Sequence, residues 1–333
     1  MPTFGLFCSM EEFTPGQCLD QAVAAEDAGY DSVWVNDHFH PWFDHLPDGT
    51  KASGGNAWAW MPAALERTDG VQIGTGVSAV LNRYHPAAVA QRYGTMCHLH
   101  PDRLFLGIGT GEAFNELPLG YPWPEYSERA QRTAEAIRIF RRLFEEEFVD
   151  FDGQFWTLDG ANLYTAPDEA PPVHVAAGGP TSARMAGDLG DGLVMANADL
   201  DHVRDEILPS MKRGIKRSER NETMGDLDRV LHIHCSYADT IEEALEPCKP
   251  WRTTMLPEMR NLGDPRYLQE HGEKVDTDHL LDAFVVFTDP ADLIEATQDA
   301  LDAGFTHIVY QSSSPDQARF IDMTEREVLP SFA

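Results

Sequence analysis

Residues 34–42 read Trp-Val-Asn-Asp-His-Phe-His-Pro-Trp and begin where an apolar strand pattern runs out. Asp37, His38 and Trp42 therefore fall within six positions at the mouth of a strand. Histidine titrates near neutral pH, and a neighbouring carboxylate can orient or charge it. His38 with Asp37 is thus suited to general acid–base work. A second cluster, Gly107-Ile-Gly-Thr-Gly-Glu-Ala-Phe-Asn115, ends another apolar run and delivers Glu112. A glutamate there can simply favour a helix N-terminus. The glycines also let a flat ligand come close to the backbone. They do not form the G-x-G-x-x-G dinucleotide fingerprint. A third cluster, Ala176-Ala-Gly178-Gly179-Pro180-Thr181-Ser182, lies between a strand and a helix. Its glycines leave N–H groups open at a helix N-terminus, a natural seat for a phosphate.

Other patterns carry less. His38 with His40, His98 with His100, and His232 with His234 alternate like metal pairs. Each lacks the third and fourth ligands that zinc needs, so no metal is expected. Gly76 ends the third strand, where it can mark a bend beside a flat ring. Trp123, between two prolines, suits an aromatic wall of a ligand site.

The elements that must position these groups alternate. Strands are expected at 3–8, 31–35, 71–76, 104–108, 173–176, 191–196, 228–236, 283–287 and 305–310. Helices are expected at 15–28, 56–67, 86–99, 125–146, 180–188, 201–218, 290–302 and 315–328. Repeated strand–helix units imply a parallel sheet, and about eight of them suit a (β/α)8 TIM barrel in one domain, 1–333. An open doubly wound sheet is the alternative. Thr14 before Pro15, and Asp289 before Pro290, are N-caps with proline at the first helical position. Residues 148–165 alternate around Asp152-Gly153 and read as an inserted hairpin. Residues 248–280 read as a helical, lid-like excursion at the C-terminal face. In such a barrel all strand ends open onto that one face, where chemistry sits.

Composition bounds the rest. With 42% hydrophobic residues in 333, the chain can build a large core. No run of eighteen apolar residues is present, so no membrane span is expected. The opening Met-Pro-Thr-Phe-Gly-Leu-Phe-Cys reads as a strand, not a leader. Five scattered cysteines without C-x-x-C spacing read as reduced thiols of a cytoplasmic protein. The formal charge is −30, with 5 lysines against 20 arginines. No basic stripe is left to meet nucleic acid. Acidity spread along the whole chain points to adaptation to high salt, where a Debye length of about 3 Å at 1 M makes self-repulsion tolerable.

Taken together, these motifs resemble the coenzyme F420-dependent branch of the luciferase-like superfamily. The likeness is greatest to the F420-dependent glucose-6-phosphate dehydrogenases, here of a haloarchaeal kind. It runs over nearly the whole length. Asp37-His38-Phe39-x-Pro41-Trp42, Phe105-Leu-Gly-x-Gly-Thr-Gly-Glu-Ala-x-Asn115-Glu116, Val149-Asp-Phe-Asp-Gly153 and Ala176-Ala-Gly-Gly-Pro180 carry it. The resemblance implies a barrel holding coenzyme F420, a deazaflavin, at its C-terminal face, in a homodimer. Asp37, Ala79, Thr110, Gly111 and Asn115 would meet the ring. Gly76–Val77 would be a non-proline cis peptide behind it. Ala177, Gly178, Gly179, Thr181 and Ser182 would hold the phosphate tail. His38, Trp42 and Glu112 match the family's catalytic group, and Glu11 falls on the substrate side.

The family clamps a sugar phosphate with a threonine, two lysines and an arginine. Those positions here are Ala196, Asp199, Met259 and Ala283, with Arg260 the nearby cation. A phosphate site without cations lacks the charge-assisted bonds that define it. The expectation is therefore oxidation of an unphosphorylated sugar or alcohol carbinol, with hydride passing to C5 of the deazaflavin. His38, or a group coupled to it, takes the hydroxyl proton, Trp42 shields the forming carbonyl, and Glu112 serves the ring's N1–C2 edge. Alternatives are glucose-6-phosphate dehydrogenase proper, a methylenetetrahydromethanopterin reductase, an FMN-dependent monooxygenase, and a non-catalytic cofactor carrier.

Overall fold

The computed structural model describes residues 1–218 and 220–333. The strands in chain order are β1 (Thr3–Cys8), β2 (Ser32–Val35), β3 (Gln72–Thr75), β4 (Ser78–Ala79), β5 (Leu104–Gly109), β6 (Val149–Asp152), β7 (Thr157–Ala161), β8 (Val173–Ala176), β9 (Gly192–Ala196), β10 (Asp228–Tyr237), β11 (Val285–Phe287) and β12 (His307–Ser312). Parallel pairing runs β12–β1–β2–β3–β5–β8–β9–β10. It closes where β10 meets β12, from Val230↔His307 to Cys235↔Ser312. The result is an eight-stranded parallel barrel, as the strand–helix alternation implied. Its strands are apolar runs because helices cover them outside and side chains fill them inside. All six residues of β5 are buried.

Helices α1 (Pro15–Asp27), α2 (Ala57–Arg67), α3 (Pro86–Leu99), α4 (Tyr126–Glu145) and α5 (Pro180–Leu189) follow successive barrel strands. Thr14 caps α1 through a capping box with Gln17, and Pro15 takes the first helical position. Asp289 accepts from the Ala291 N–H before Pro290, as its sequence indicated. The hairpin β6–β7 stands apart as its own two-stranded sheet.

Several expected elements differ. The 71–76 strand stops at Thr75 and resumes as β4, because the Gly76–Val77 peptide is cis and turns the chain between them. The 283–287 strand is β11, and it stands outside the ring. β10 is ten residues long and overshoots the barrel, so its end, Cys235–Tyr237, pairs with β11. The 201–218 helix is broken into Leu200–His202, a wide turn at Val203–Ile207 and Leu208–Arg217, with Pro209 opening the last piece. The 315–328 helix ends at Met323, and wider and tighter turns follow.

Three packed regions hold the molecule together. The largest lies between barrel and helices. The barrel interior is plugged by Phe7, Trp34, Phe105, Val194, Val230 and Val309. At roughly 1.5–3 kcal/mol for each large apolar side chain buried, this plug is a rigid floor beneath the open face. The third region joins Trp42, Phe43 and Phe114 to Trp251, Leu268, Leu280 and Phe284 of the excursion. That excursion is a series of short helices, Glu246–Met255, Met259–Asn261, Pro265–Gly272 and Asp278–Ala283, packed beside the mouth.

Candidate functional site

His38 lies just past β2, and its ring is held from both sides. Nδ1 bonds a carboxylate oxygen of Glu11, which follows β1 and is itself buried. Nε2 faces Glu112, 3.9 Å from Oε2, beyond the end of β5. Three strand ends so bring three titratable groups into one row, Glu11–His38–Glu112. The His38 side chain is 14% exposed. Burial alone would lower its pKa. The Glu11 carboxylate on Nδ1, then Glu112 and Asp37, outweigh it and hold the imidazole above its ordinary 6.5. With Nδ1–H donating to Glu11, the neutral ring carries its lone pair on Nε2, toward Glu112. The ring centroids of Phe114 and Trp42 lie 5.0 and 6.2 Å from that of His38, both rings near perpendicular to it. Trp42 and Phe114 also meet each other at 4.5 Å. They make a dry wall that keeps the pair in a low-dielectric setting.

Asp37 adds to the charge that holds His38 up but does not orient its ring. Its carboxylate accepts from Ser78 Oγ at 2.7 Å, Tyr84 at 3.0 Å and Trp58 Nε1 at 3.2 Å. Arg83 pairs with it at 3.2 Å. It therefore ties the β4 loop to the His38 segment, and Glu11 takes the place on the imidazole. Adjacent side chains of an extended segment point apart, which is why nearness in sequence misled here. Asn115 works on the same segment. Its side chain accepts from the Phe39 N–H at 2.7 Å and reaches Glu112 at 3.4 Å.

Next to this row are two adjoining cavities of about 280 and 370 Å³. Val77, Glu112, Ala176, Gly178 and Arg260 border both. The first also takes in Thr110, Gly111, Thr181 and Ser182. The second takes in Gly76, Ala177, Ala196, Asp199 and His232 above the barrel floor. Gly111 has φ +71°, and a Cβ there would stand 2.7 Å from the Ala79 Cβ, so only glycine fits this turn. The Gly76–Val77 peptide is cis, as the resemblance implied. Gly179 caps α5 without any side-chain bond to its first turn, while Ser182 Oγ donates to the Gly179 carbonyl at 3.1 Å. An uncapped helix start beside a cavity is what a phosphate requires, and the adjoining space with its flat peptide suits a planar ring. The residues present thus fit a phosphate-bearing deazaflavin.

The expected substrate positions scatter. Ala196 and Asp199 border the second cavity, and Asp199 also caps Leu200–His202 through the Asp201 and His202 N–H groups. Met259 and Ala283 pack into the third apolar region instead. Ala283 ends the helix Asp278–Ala283, not a strand. Trp123 stands against the Gly111 turn, with the Arg129 guanidinium 4.0 Å over its ring, but it borders neither cavity.

Two groups named from the sequence stand where it did not put them. Glu11 pairs with His38 across 27 positions, a link no local pattern carries. His232 and His234 point into the barrel, where His232 stacks on Phe7 at 4.4 Å. Burial pushes the His234 pKa down to about 3 and lowers His232 as well. Their alternation in β10 was the available signal for an inward face. Among the described residues no group of three His, Cys, Asp or Glu side chains could hold a metal ion. Among the described residues no helix is long and apolar enough to cross a membrane.

Comparisons with known proteins accord with this geometry. The family model for luciferase-like monooxygenases matches residues 3–307. The F420-dependent glucose-6-phosphate dehydrogenase of Mycobacterium avium is 36% identical, over 98% of this chain and 96% of its own. That of Intrasporangium calvum is 38% identical, over 98% and 97%. Among solved structures, an F420-dependent secondary alcohol dehydrogenase in complex with an F420–acetone adduct superposes with a TM-score of 0.94. It is 34% identical and covers 100% of this chain and 99% of its own. The coenzyme F420-dependent tetrahydromethanopterin reductase of Methanopyrus kandleri shares the fold, at 20% identity, TM-score 0.80, and 100% and 99% coverage. The curated sequence relatives are actinobacterial, and nothing in them supports the haloarchaeal expectation. The chain belongs to the luciferase-like F420-dependent oxidoreductase family, close to the F420-dependent glucose-6-phosphate dehydrogenases.

Proposed function

We propose that this chain is a coenzyme F420-dependent dehydrogenase that oxidises an unphosphorylated sugar or secondary alcohol at a carbinol carbon. The observation that carries the reading is the Glu11–His38–Glu112 row, set beside a glycine-lined, uncapped helix start. When bound, the deazaflavin accepts the hydride. Gly178, Gly179, Thr181 and Ser182 hold its phosphate, with Ala177 beside them. Gly76, Val77, Ala79, Thr110 and Gly111 back its ring, and Asp37 and Asn115 fix the loops that frame it.

The protein's own part is proton handling and positioning. The substrate hydroxyl lies at Nε2 of His38, on the side facing Glu112. Neutral His38 takes the hydroxyl proton at Nε2 as the hydride leaves the carbon. Glu11, already bonded to Nδ1, stabilises the imidazolium that forms, and it keeps the ring in the tautomer with a free Nε2. Trp42 and Phe114 exclude water from the reacting carbon. With F420 bound, Glu112 would border the ring, and in its protonated form it would donate a hydrogen bond to the edge where negative charge arrives. Positioned acid–base catalysis of this kind is worth about 10²–10⁴ in rate.

The substrate class rests on the second cavity. Asp199 and Ala196 border it, and an aspartate repels a phosphate dianion. A carbinol carrying no phosphate meets no such cost. The secondary alcohol dehydrogenase of the same fold acts on such a group by its name. Glucose 6-phosphate is the second reading, favoured by the names of the curated relatives. Comparing kcat/KM for glucose, glucose 6-phosphate and propan-2-ol with F420 separates the two.

The reading extends to the setting of the enzyme. We place it as one catalytic domain, in a cytoplasmic homodimer, and working at high salt. The dimer rests on the resemblance alone. The salt adaptation rests on the charge of −30 and the 5 lysines.

A further inference from the structure

Arg260 lies in the short turn Met259–Asn261 of the excursion. The turn is fixed at both ends. Met259 packs into the apolar region around Trp42 and Phe114. Asn261 accepts a hydrogen bond from Trp123 Nε1 at 2.9 Å, on the far side of the cleft. Trp123 in turn stacks on Arg129 and abuts the Gly111 turn. The Met259–Asn261 segment is thus a strap between the excursion and the loop after β5.

The strap carries Arg260 to a specific place. The Arg260 guanidinium is 3.9 Å from where a Cβ on Gly178 would stand. It borders both cavities and therefore reaches the glycine loop and the start of α5. Arg260 is exposed and forms no ion pair among the described residues. Its guanidinium stands over an uncapped helix start, where it can serve an anion. Backbone N–H groups and a guanidinium converging on one point make an anion site stronger than either alone.

We propose that Arg260 is a ligand of the cofactor's phosphate, delivered by a strap that the Trp123–Asn261 bond latches in place. This rests on the F420 reading above. It also changes the account of the substrate side. If Arg260 is committed to the cofactor, the second cavity has no cation to offer a phosphorylated substrate. Loss of the family's phosphate clamp and gain of a cofactor clamp are then one rearrangement. The strap further gives the cofactor a way to be retained against the repulsion of an acidic surface, because it carries a cation to the glycine loop.

The test is fluorescence titration of the whole protein with coenzyme F420 and with the phosphate-free deazaflavin nucleoside, at one fixed salt concentration. Wild type should bind F420 more tightly than the nucleoside. Arg260→Gln should weaken F420 by about 10- to 100-fold, the range of a charge-assisted bond to phosphate, and leave the nucleoside within about twofold. Arg260→Lys should recover part of the loss, because a point charge replaces the fork. Asn261→Ala should weaken F420 in the same direction and raise its dissociation rate. Equal weakening of both ligands by Arg260→Gln, or of neither, overturns the inference while leaving the F420 reading intact. Binding of neither ligand to wild type brings down both. A second arm separates the two possible phosphates. The ratio of kcat/KM for glucose 6-phosphate over glucose should be the same in wild type and Arg260→Gln. A ratio that collapses with F420 affinity unchanged assigns Arg260 to a substrate phosphate and overturns the proposal.

Discussion

Replacing Glu11 by glutamine removes a buried negative charge from the His38 ring while keeping the shape of the side chain. Glu11 contacts Nδ1 directly, whereas the other nearby carboxylate, Glu112, is 3.9 Å from Nε2 and 22% exposed. The Glu11 charge is therefore the better shielded from water, and its effect on His38 should dominate. An opposite charge at such range moves a pKa by about 1–3 units. That is about 1.4–4 kcal/mol of differential stabilisation of the imidazolium. Two consequences can be read in one pH profile. In wild type, carbinol oxidation should rise with pH and level off above the raised His38 pKa, because only the neutral ring can take a proton. In Glu11→Gln the rising limb should move to lower pH by about 1–3 units. The plateau should also fall, by about ten- to a thousandfold, since the same charge no longer stabilises the imidazolium formed in the transition state. The assay is kcat/KM for the best alcohol from about pH 5 to 9, with F420 binding followed in parallel to show that the site is intact. A limb that stays where it was, with an unchanged plateau, would falsify the pairing of Glu11 with the proton-accepting ring.

The other expectations follow from the same geometry. His38→Ala should lower turnover by about 10²–10⁴-fold and leave F420 affinity within a few-fold, read by steady-state kinetics beside a fluorescence titration. Asn115→Ala removes the bonds to Phe39 N–H and Glu112, and turnover should fall about tenfold, with the His38 limb of the pH profile shifted because Glu112 is no longer held. The buried His307, bonded to Ser32 at 2.8 Å, has its pKa pushed down to about 4 by burial, with His174 adding to the effect. Below pH 6.5 the unfolded chain takes up a proton that the folded one refuses, so stability should fall as pH drops from about 6.5 to 4, by about 3 kcal/mol for this group. Urea melts of wild type and His307→Gln across that interval check it; equal acid sensitivity in the two contradicts it. Thermal melts at about 0.1 M and 3 M KCl test the salt adaptation, with a higher Tm expected at 3 M, where repulsion is screened.

Much of this barrel was legible because its strands are buried on both faces and so read as plain apolar runs between capped helices. Thr14-Pro15 and Asp289-Pro290 marked helix starts that the structure keeps. The failures have local causes. The bend expected at Gly76 is there, and what was not expected is the short β4 that follows it. The short β11 carries a strand signature but pairs with the overhang of β10 and not with the ring. Residues 248–280 show no sustained period, because they are short turns packed on Trp42 and Phe114 more than a helix with one apolar face. In the site, His38, Glu112 and the Gly178–Gly179 loop were visible because each closes a strand. Glu11 was not placed on His38, since the contact depends on the register in which β1 pairs with β2, which sequence spacing does not display. Arg260, assigned by alignment to the substrate side, borders the second cavity and also reaches the glycine loop, which alignment did not indicate.

The most direct measurement is a single-turnover experiment with enzyme-bound F420 at high salt. Loss of the oxidised deazaflavin's visible absorbance is followed after mixing with propan-2-ol, glucose or glucose 6-phosphate, and repeated with substrate deuterated at the carbinol carbon. The expected result is loss of absorbance with an unphosphorylated carbinol, slowed by deuterium, and at least tenfold faster at equal concentration than with glucose 6-phosphate, or about 1.4 kcal/mol of transition-state preference. No absorbance change with any carbinol, or glucose 6-phosphate faster by tenfold, would contradict it.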